Sequence, residues 1–276
     1  MVIKLNIILY RREKMGIIYQ PKGKAREYSP LAANLYMGCN HGCKYCYAPA
    51  IRFKKRFEYL TPIPRRNLLK EFEDDCIKNT GNCQQVQFCF MTDPYNEIEQ
   101  ELRLTRECLK IALKYKVPIS ILTKSKTVIN DLDIIKEFGK NIKIGFTLTF
   151  DNQNDSLEWE PGAALPSERI ESLKILHENN VMTWASFEPV IIPEQSISMI
   201  KECLNFVDLF KIGKLNNFQG LDKKINWNDF LIKAVEYLRS NNKNLYIKYD
   251  LRQFANGFKL YGNEMNMDEF NLFWDD

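Results

Sequence analysis

Residues 142–149 read Ile142-Lys143-Ile144-Gly145-Phe146-Thr147-Leu148-Thr149, a run in which two kinds of position alternate. In a strand, Ile142, Ile144, Phe146 and Leu148 share one face, while Gly145, Thr147 and Thr149 share the other. An apolar face suits packing against helices, and the threonine face is therefore placed inside a barrel. Similar β-type runs lie upstream at 34–37, 85–90 and 118–123, and downstream at 181–187, 207–212 and 245–248. Between them lie helical patterns at 65–78, 102–114, 128–138, 167–179, 194–204 and 227–239. Strand and helix in regular alternation argue for an α/β fold, a parallel sheet with covering helices, and six or seven such units favour a barrel or open barrel. No internal repeat, low-complexity tract or long linker interrupts the pattern.

Composition fits one large domain. The 276 residues are 45% hydrophobic and 27% charged, ordinary for a globular protein and ample for a core. A net charge of +4 allows a polyanionic partner but falls short of the basic stripe of a dedicated nucleic-acid binder. The run from Ile3 to Tyr10 is too short to span a bilayer, and Arg11, Arg12 and Lys14 follow it, the wrong side for a signal peptide. The eight cysteines are accordingly read as reduced thiols of a cytoplasmic protein with no membrane association. Met15 is an alternative start, which leaves residues 1–14 as a tail outside the fold, 15–250 as the barrel and 251–276 as an extension packed on it.

In a parallel barrel the active site lies at the carboxyl ends of the strands. Those ends are polar here: Gly38-Cys39, Thr92-Asp93, Thr123-Lys124, Thr147 with Thr149, Glu188, and Lys214. The strongest signal follows the first strand, where Gly38-Cys39-Asn40-His41-Gly42-Cys43-Lys44-Tyr45-Cys46-Tyr47 sets Cys39, Cys43 and Cys46 in a C-x3-C-x2-C run. Three thiolates this close can converge on one metal centre. On a [4Fe–4S] cluster they leave one iron open to a small chelating ligand. A zinc site completed by His41 or a distant cysteine is the other metal reading.

The spacing, with Tyr45 just before the last cysteine, resembles the cluster loop of the radical S-adenosylmethionine (radical SAM) superfamily. The motifs Glu27-Tyr28, Asn34-Leu35-Tyr36, Tyr45-Cys46-Tyr47-Ala48-Pro49, Thr92-Asp93-Pro94-Tyr95 with Glu99, and Leu104-Thr105-Arg106 are similar to its spore photoproduct lyase-related, DNA repair photolyase-like branch. So are Thr123-Lys124-Ser125, Glu160-Pro161-Gly162 and Glu188-Pro189, and the match runs from about Ile17 to Lys248. The resemblance implies a partial (βα)6 TIM-type barrel that binds a [4Fe–4S] cluster and S-adenosylmethionine. It also implies reductive cleavage of that cofactor to a 5′-deoxyadenosyl radical. Carried over by motif, Cys39, Cys43 and Cys46 hold the cluster, Thr92 and Asp93 the methionyl end of the cofactor, and Lys124 its carboxylate. Thr147 takes the ribose or carboxylate, Tyr45 brings backbone groups to the adenine, and Glu188 completes the cofactor site. A flavodoxin- or ferredoxin-type electron donor is the implied partner, damaged DNA or another nucleic acid the implied substrate, and a monomer the expected state.

The resemblance has a break. Spore photoproduct lyase carries a hydrogen-donating cysteine three positions before the aspartate matching Asp93, where this chain has Phe90. Cys89 lies one residue away and should face the opposite side unless a bulge alters the register. Cys76, Cys83, Cys108 and Cys203 form no second tight motif, and Cys76 and Cys108 read as small buried hydrophobes within helices. Tyr36, Tyr45, Tyr47 and Tyr95 are placed near the mouth, for stacking or for packing. Lys211, Lys214 and Lys248 are candidates for an anionic group or are solvated lysines. Two other functions stay open: a zinc-stabilised, non-enzymatic nucleic-acid-binding protein, and a radical enzyme acting on a peptide or small metabolite.

Overall fold

The computed structural model describes residues 16–52, 55–81, 84–216, 218 and 220–274, so that residues 1–14 and Cys83 lie outside the described residues. The chain opens with β1 (Ile18–Tyr19), β2 (Leu31–Ala33) and β3 (Tyr36–Met37), then α1 (Ala48–Ile51), α2 (Arg56–Tyr59) and β4 (Ile63–Pro64). The repeating part comprises α3 (Leu68–Asn79), β5 (Val86–Phe88), α4 (Glu99–Leu102), α5 (Leu104–Lys114), β6 (Ile119–Thr123) and α6 (Leu132–Glu137). It continues through β7 (Ile142–Thr147), α7 (Gln153–Trp159), α8 (Pro166–Glu178), β8 (Met182–Phe187) and α9 (Pro193–Cys203). The last elements are β9 (Leu209–Ile212), α10 (Trp227–Ser240), β10 (Asn244–Ile247) and α11 (Tyr249–Arg252).

Eight strands form one sheet in the order β1-β2-β5-β6-β7-β8-β9-β10. Every pairing from β2 to β10 is parallel, and β1 alone runs antiparallel, at the edge. The strands are short apolar runs buried on both faces, as a sheet covered by helices requires. Helices dock by apolar stripes: Leu68, Phe72 and Cys76 on α3, and Cys108, Leu109 and Ala112 on α5. Cys76, Cys108 and Cys203 are buried in this outer core.

Periodicity located the later strands well but misplaced the first. The barrel strand is Leu31–Ala33, and Tyr36–Met37 instead pairs with Ile63–Pro64 in a separate hairpin. Asn34 explains the shift. Its Oδ1 accepts the N–H groups of Phe90 and Met91, each at 2.8 Å, so its side chain closes the end of β5 while its own backbone leaves the sheet.

The alternation of β7 holds. Ile142, Ile144, Phe146 and Leu148 join the outer core, whereas a Cβ on Gly145 would lie 2.2 Å from the Trp184 indole, which fills the barrel interior with Tyr28, Leu209, Tyr246 and Met267. The amino ends of the strands are covered by the last segment of the chain. Lys143 Nζ donates to the Phe270 carbonyl, Gln85 Nε2 donates to Asn271 Oδ1 at 3.0 Å, and Leu272 N donates to Gln85 Oε1 at 3.0 Å. A bidentate pair of Arg239 with Glu264, at 2.6 and 2.7 Å, fastens this segment to α10.

Candidate active site at the carboxyl ends of the strands

The cysteine loop is held in shape by its backbone. Gly38 has φ +88°, and a Cβ there would lie 2.6 Å from the Thr61 carbonyl, so only glycine fits. Cys39 N donates to Tyr59 O at 2.8 Å, Lys44 N to Trp159 O at 2.8 Å and Gly162 N to His41 O at 2.9 Å. The Glu160-Pro161-Gly162 turn thus lies against the loop, and a Cβ on Gly162 would sit 2.4 Å from the Asn40 carbonyl. Thr92 Oγ1 donates to Gly38 O at 2.5 Å, and Arg56 donates to the carbonyls of Cys43 (2.5 Å) and Cys46 (3.3 Å).

Cys39, Cys43 and Cys46 line one pocket with His41, Arg56, Tyr59 and Leu60. Burial pushes the Cys39 thiol up to about 12 and the Cys43 thiol to about 11, so a metal must displace their protons to bind. The donor set suits an anionic cluster: three thiols, no carboxylate in the lining, and a guanidinium on the loop carbonyls. Among the described residues, no three His, Cys, Asp or Glu side chains gather closely enough to hold a single ion. His41 is buried with Nδ1 3.5 Å from Asp93 Oδ2, and burial holds its imidazole below the usual histidine range against the opposing carboxylate.

Asp93 ties the neighbouring strand ends together. Its Oδ1 accepts from Tyr95 N (2.9 Å) and Thr123 Oγ1 (2.6 Å), and its Oδ2 from Lys124 N (2.8 Å). The Lys124 ammonium lies 5.7 Å over the Tyr45 ring. Burial alone would lower it, but its surroundings, with Cys43, Glu160 and Asp93 nearby, set it above its ordinary value. Tyr45 donates its hydroxyl to Glu160, which also accepts from Thr149 Oγ1 at 3.2 Å and from Arg169 Nη2 at 2.6 Å. Arg169 in turn donates to the Thr147 carbonyl at 3.0 Å. Arg169 and Arg56 carried no motif signal.

Across the barrel, Glu188 Oε2 accepts from the Tyr28 hydroxyl at 2.7 Å and from Lys248 Nζ. Lys211 is fully buried, its Nζ 4.5 Å from the Trp184 ring and 4.9 Å from the Tyr28 ring, with no hydrogen-bond partner among the described residues. Lys214 does not join them: its Nζ donates to Leu215 O at 2.8 Å and lies over Trp227, on the side of α10. Tyr36 and Tyr95 are buried in the outer core, bonded to Glu99 and to Asp131. Tyr47 is exposed and donates to Phe90 O at 3.2 Å. Phe90 packs inside, 5.7 Å from Tyr28, while Cys89 is buried in the outer core.

Residues 33–207, more than half of the chain, match the Radical SAM superfamily. The chain belongs to this superfamily. Radical SAM enzymes cleave S-adenosylmethionine through a [4Fe–4S] cluster, and these are the cofactors that membership implies. The chain is 35% identical over 158 residues to an uncharacterized protein of Methanocaldococcus jannaschii, across 57% of this chain and 59% of that protein. It is 26% identical over 193 residues to an uncharacterized protein of Acidianus two-tailed virus, across 66% and 64% of the two chains. It therefore spans less than two thirds of the length of these relatives. A spore photoproduct lyase variant with bound AdoMet and dinucleoside spore photoproduct has a TM-score of 0.64 at 13% identity, over 87% of this chain and 80% of that one. Streptococcus suis SuiB bound to S-adenosylmethionine has a TM-score of 0.62 at 16% identity, over 83% and 53%. At these identities the likeness is one of radical SAM fold. No helix among the described residues is long and apolar enough to cross a membrane.

Proposed function

We propose that this chain is a cytoplasmic, monomeric radical SAM enzyme, with a core at 15–250, that acts on a nucleic acid or a nucleotide-bearing substrate. Cys39, Cys43 and Cys46 hold the [4Fe–4S] cluster. The observation that carries the reading is that these three thiols line one pocket, with the strand-end residue Lys124 over the ring of Tyr45 in the same cysteine loop. When bound, the cluster supplies the electron that cleaves S-adenosylmethionine to methionine and a 5′-deoxyadenosyl radical. Lys124 holds the methionine carboxylate of the cofactor. Thr92 and Asp93 act mainly by bracing the loop and the strand ends, since both are bonded within the fold. Tyr45, Thr147 and Glu160 form the floor on which the adenosyl end lies. Glu188 belongs to the cofactor site, while Lys248, which donates to it, and Lys211 lie on the substrate side, where aromatic walls and amino groups suit a planar base that carries an anionic group.

The test is anaerobic reconstitution with iron and sulfide, then dithionite and S-adenosylmethionine, comparing 5′-deoxyadenosine release by wild type and Cys43→Ala. Release that vanishes in the variant is the expected outcome. A cluster-loaded wild type that never cleaves the cofactor would overturn the reading, and stoichiometric zinc without iron would replace it with a structural metal site. Damaged DNA is the first substrate to assay, with peptide substrates as the comparison.

A further inference from the structure

Arg56 is exposed, yet its guanidinium turns back onto the cysteine loop. Nη1 donates to the Cys43 carbonyl at 2.5 Å and Nη2 to the Cys46 carbonyl at 3.3 Å, so one planar head group spans the backbone of two of the three thiol-bearing residues. The third is held by the same helix, because the Cys39 N–H donates to the Tyr59 carbonyl of α2 at 2.8 Å. Arg56 also lines the pocket that the three thiols share. Pro49, Tyr59 and Leu60 line it too, groups that screen a charge poorly, and the lining holds no carboxylate. Both bonds of Arg56 go to carbonyls. Lys44, on the same loop, is by contrast paired with Glu158 at 2.7 Å. Among the described residues, no carboxylate lies within ion-pair distance of Arg56, so its charge is directed at what fills the pocket.

We propose that Arg56 is the counter-charge of the cluster and raises its reduction potential. The proposal rests on the reading of the cysteine pocket as the cluster site. Three thiolates outweigh the charge of the iron–sulfur core, so the cluster is anionic and an added electron makes it more so. A fixed cation at the pocket wall stabilises the more negative state and shifts the equilibrium toward reduction. Arginine suits the task because it stays charged at every working pH and its two bonds to the loop hold the charge in place. Lys124 is the other cation near Cys43, but in the reading above it is engaged by the carboxylate of the cofactor. Arg56 has no such engagement, so its effect is present before the cofactor binds. In the reduction, one electron passes from the reductant to the cluster and the reductant is oxidised by one electron, while Arg56 neither gains nor loses a proton. A mere brace of the loop would need donors for two carbonyls but no charge, and this separates the two roles.

The test compares cluster-loaded wild type with Arg56→Gln, whose amide can still donate to a loop carbonyl without the charge, and with Arg56→Lys, which keeps the charge. Iron and sulfide per chain are measured first. The midpoint potential is then read from the electron paramagnetic resonance signal of the reduced cluster during titration with dithionite and mediator dyes, without S-adenosylmethionine. Arg56→Gln is expected to lower the ratio of reduced to oxidised cluster at a given potential about tenfold, a midpoint shift of about 59 mV for a one-electron couple, and Arg56→Lys to stay near wild type. Because Arg56 is exposed, the gap between wild type and Arg56→Gln should narrow at high salt. A fully loaded Arg56→Gln at the wild-type potential would overturn the proposal, as would an Arg56→Lys shifted as far as Arg56→Gln. Loss of iron in both variants would also overturn it and leave Arg56 as a brace of the loop. Loss in Arg56→Gln alone, with iron and potential preserved in Arg56→Lys, would support the counter-charge. A wild type that takes up no iron and sulfide would sink the cluster reading itself, before any variant is compared.

Discussion

The carboxylate of Glu160 and the guanidinium of Arg169 meet at 2.6 Å with both side chains shut off from solvent, directly beneath the cysteine loop. Burial would raise the Glu160 carboxyl, but Arg169 and Lys124 more than offset it and hold it below its ordinary range. Removing one partner leaves a buried charge uncompensated. Arg169→Met should therefore destabilise the fold by about 3 kcal/mol in chemical denaturation, and the double variant with Glu160→Gln should cost less than the sum of the singles. Because the folded pKa of Glu160 is depressed, the contribution is present above the ordinary carboxylate pKa and is lost as pH falls below it. The gap between wild type and Arg169→Met should accordingly narrow in acid.

Gly162 tests the turn that clamps the loop. Its Cβ would meet the Asn40 carbonyl at 2.4 Å and the His41 Cα at 3.0 Å, both backbone atoms that cannot swing aside. Gly162→Ala should leave the far-UV circular dichroism of the barrel intact yet reduce iron bound per chain after reconstitution. Full iron loading in this variant would show that the turn does not position the cysteines.

Much of this arrangement was legible in the sequence because strands and chemistry share one geometry. The period-two pattern of residues 142–149 assigned the threonine face to the interior, where Gly145 does face Trp184. The cysteine spacing located the loop without any strand boundary. What was not legible depended on contacts between distant residues. Asn34 belongs by composition to the apolar run that follows it, and only its bonds to Phe90 and Met91 show that the strand has already ended. Arg169 reads as one more helix charge until Glu160 is seen opposite it. Lys214 and Lys211, three residues apart and both lysines, face different elements, and no local pattern separates them.

Lys124 should govern cofactor affinity more than fold. Its ammonium sits near Cys43, Glu160 and Asp93, and despite burial its pKa is held above the ordinary lysine value. A charge-assisted bond to a carboxylate is worth about 1.5–3 kcal/mol, so Lys124→Met should weaken S-adenosylmethionine binding about 10- to 100-fold. Equilibrium binding to the reconstituted protein measures this directly. Lys124→Arg should recover part of the affinity, since the charge is kept but the head group is larger. Equal affinity in wild type and Lys124→Met would assign the carboxylate to another residue.

Lys143 makes stability depend on pH in the alkaline direction. It is fully buried in the amino-terminal layer of the barrel, and desolvation lowers its pKa to about 7. The unfolded chain therefore holds a proton that the folded one has released between about pH 7 and the ordinary lysine value near 10.4. Stability must rise with pH across that window, and the penalty is present in full below it. The cost at neutral pH and below is on the order of 4 kcal/mol, against about 1 kcal/mol for the bond that Lys143 donates to the Phe270 carbonyl. Lys143→Met should thus raise the melting temperature at pH 6.5, and the gain should shrink and then reverse toward pH 10 as the lysine loses its proton in both states. Melting curves of the two proteins from pH 6 to 10 decide the matter. A difference that does not vary with pH would mean that Lys143 stays charged in the fold and that the Phe270 carbonyl is sufficient to keep it so.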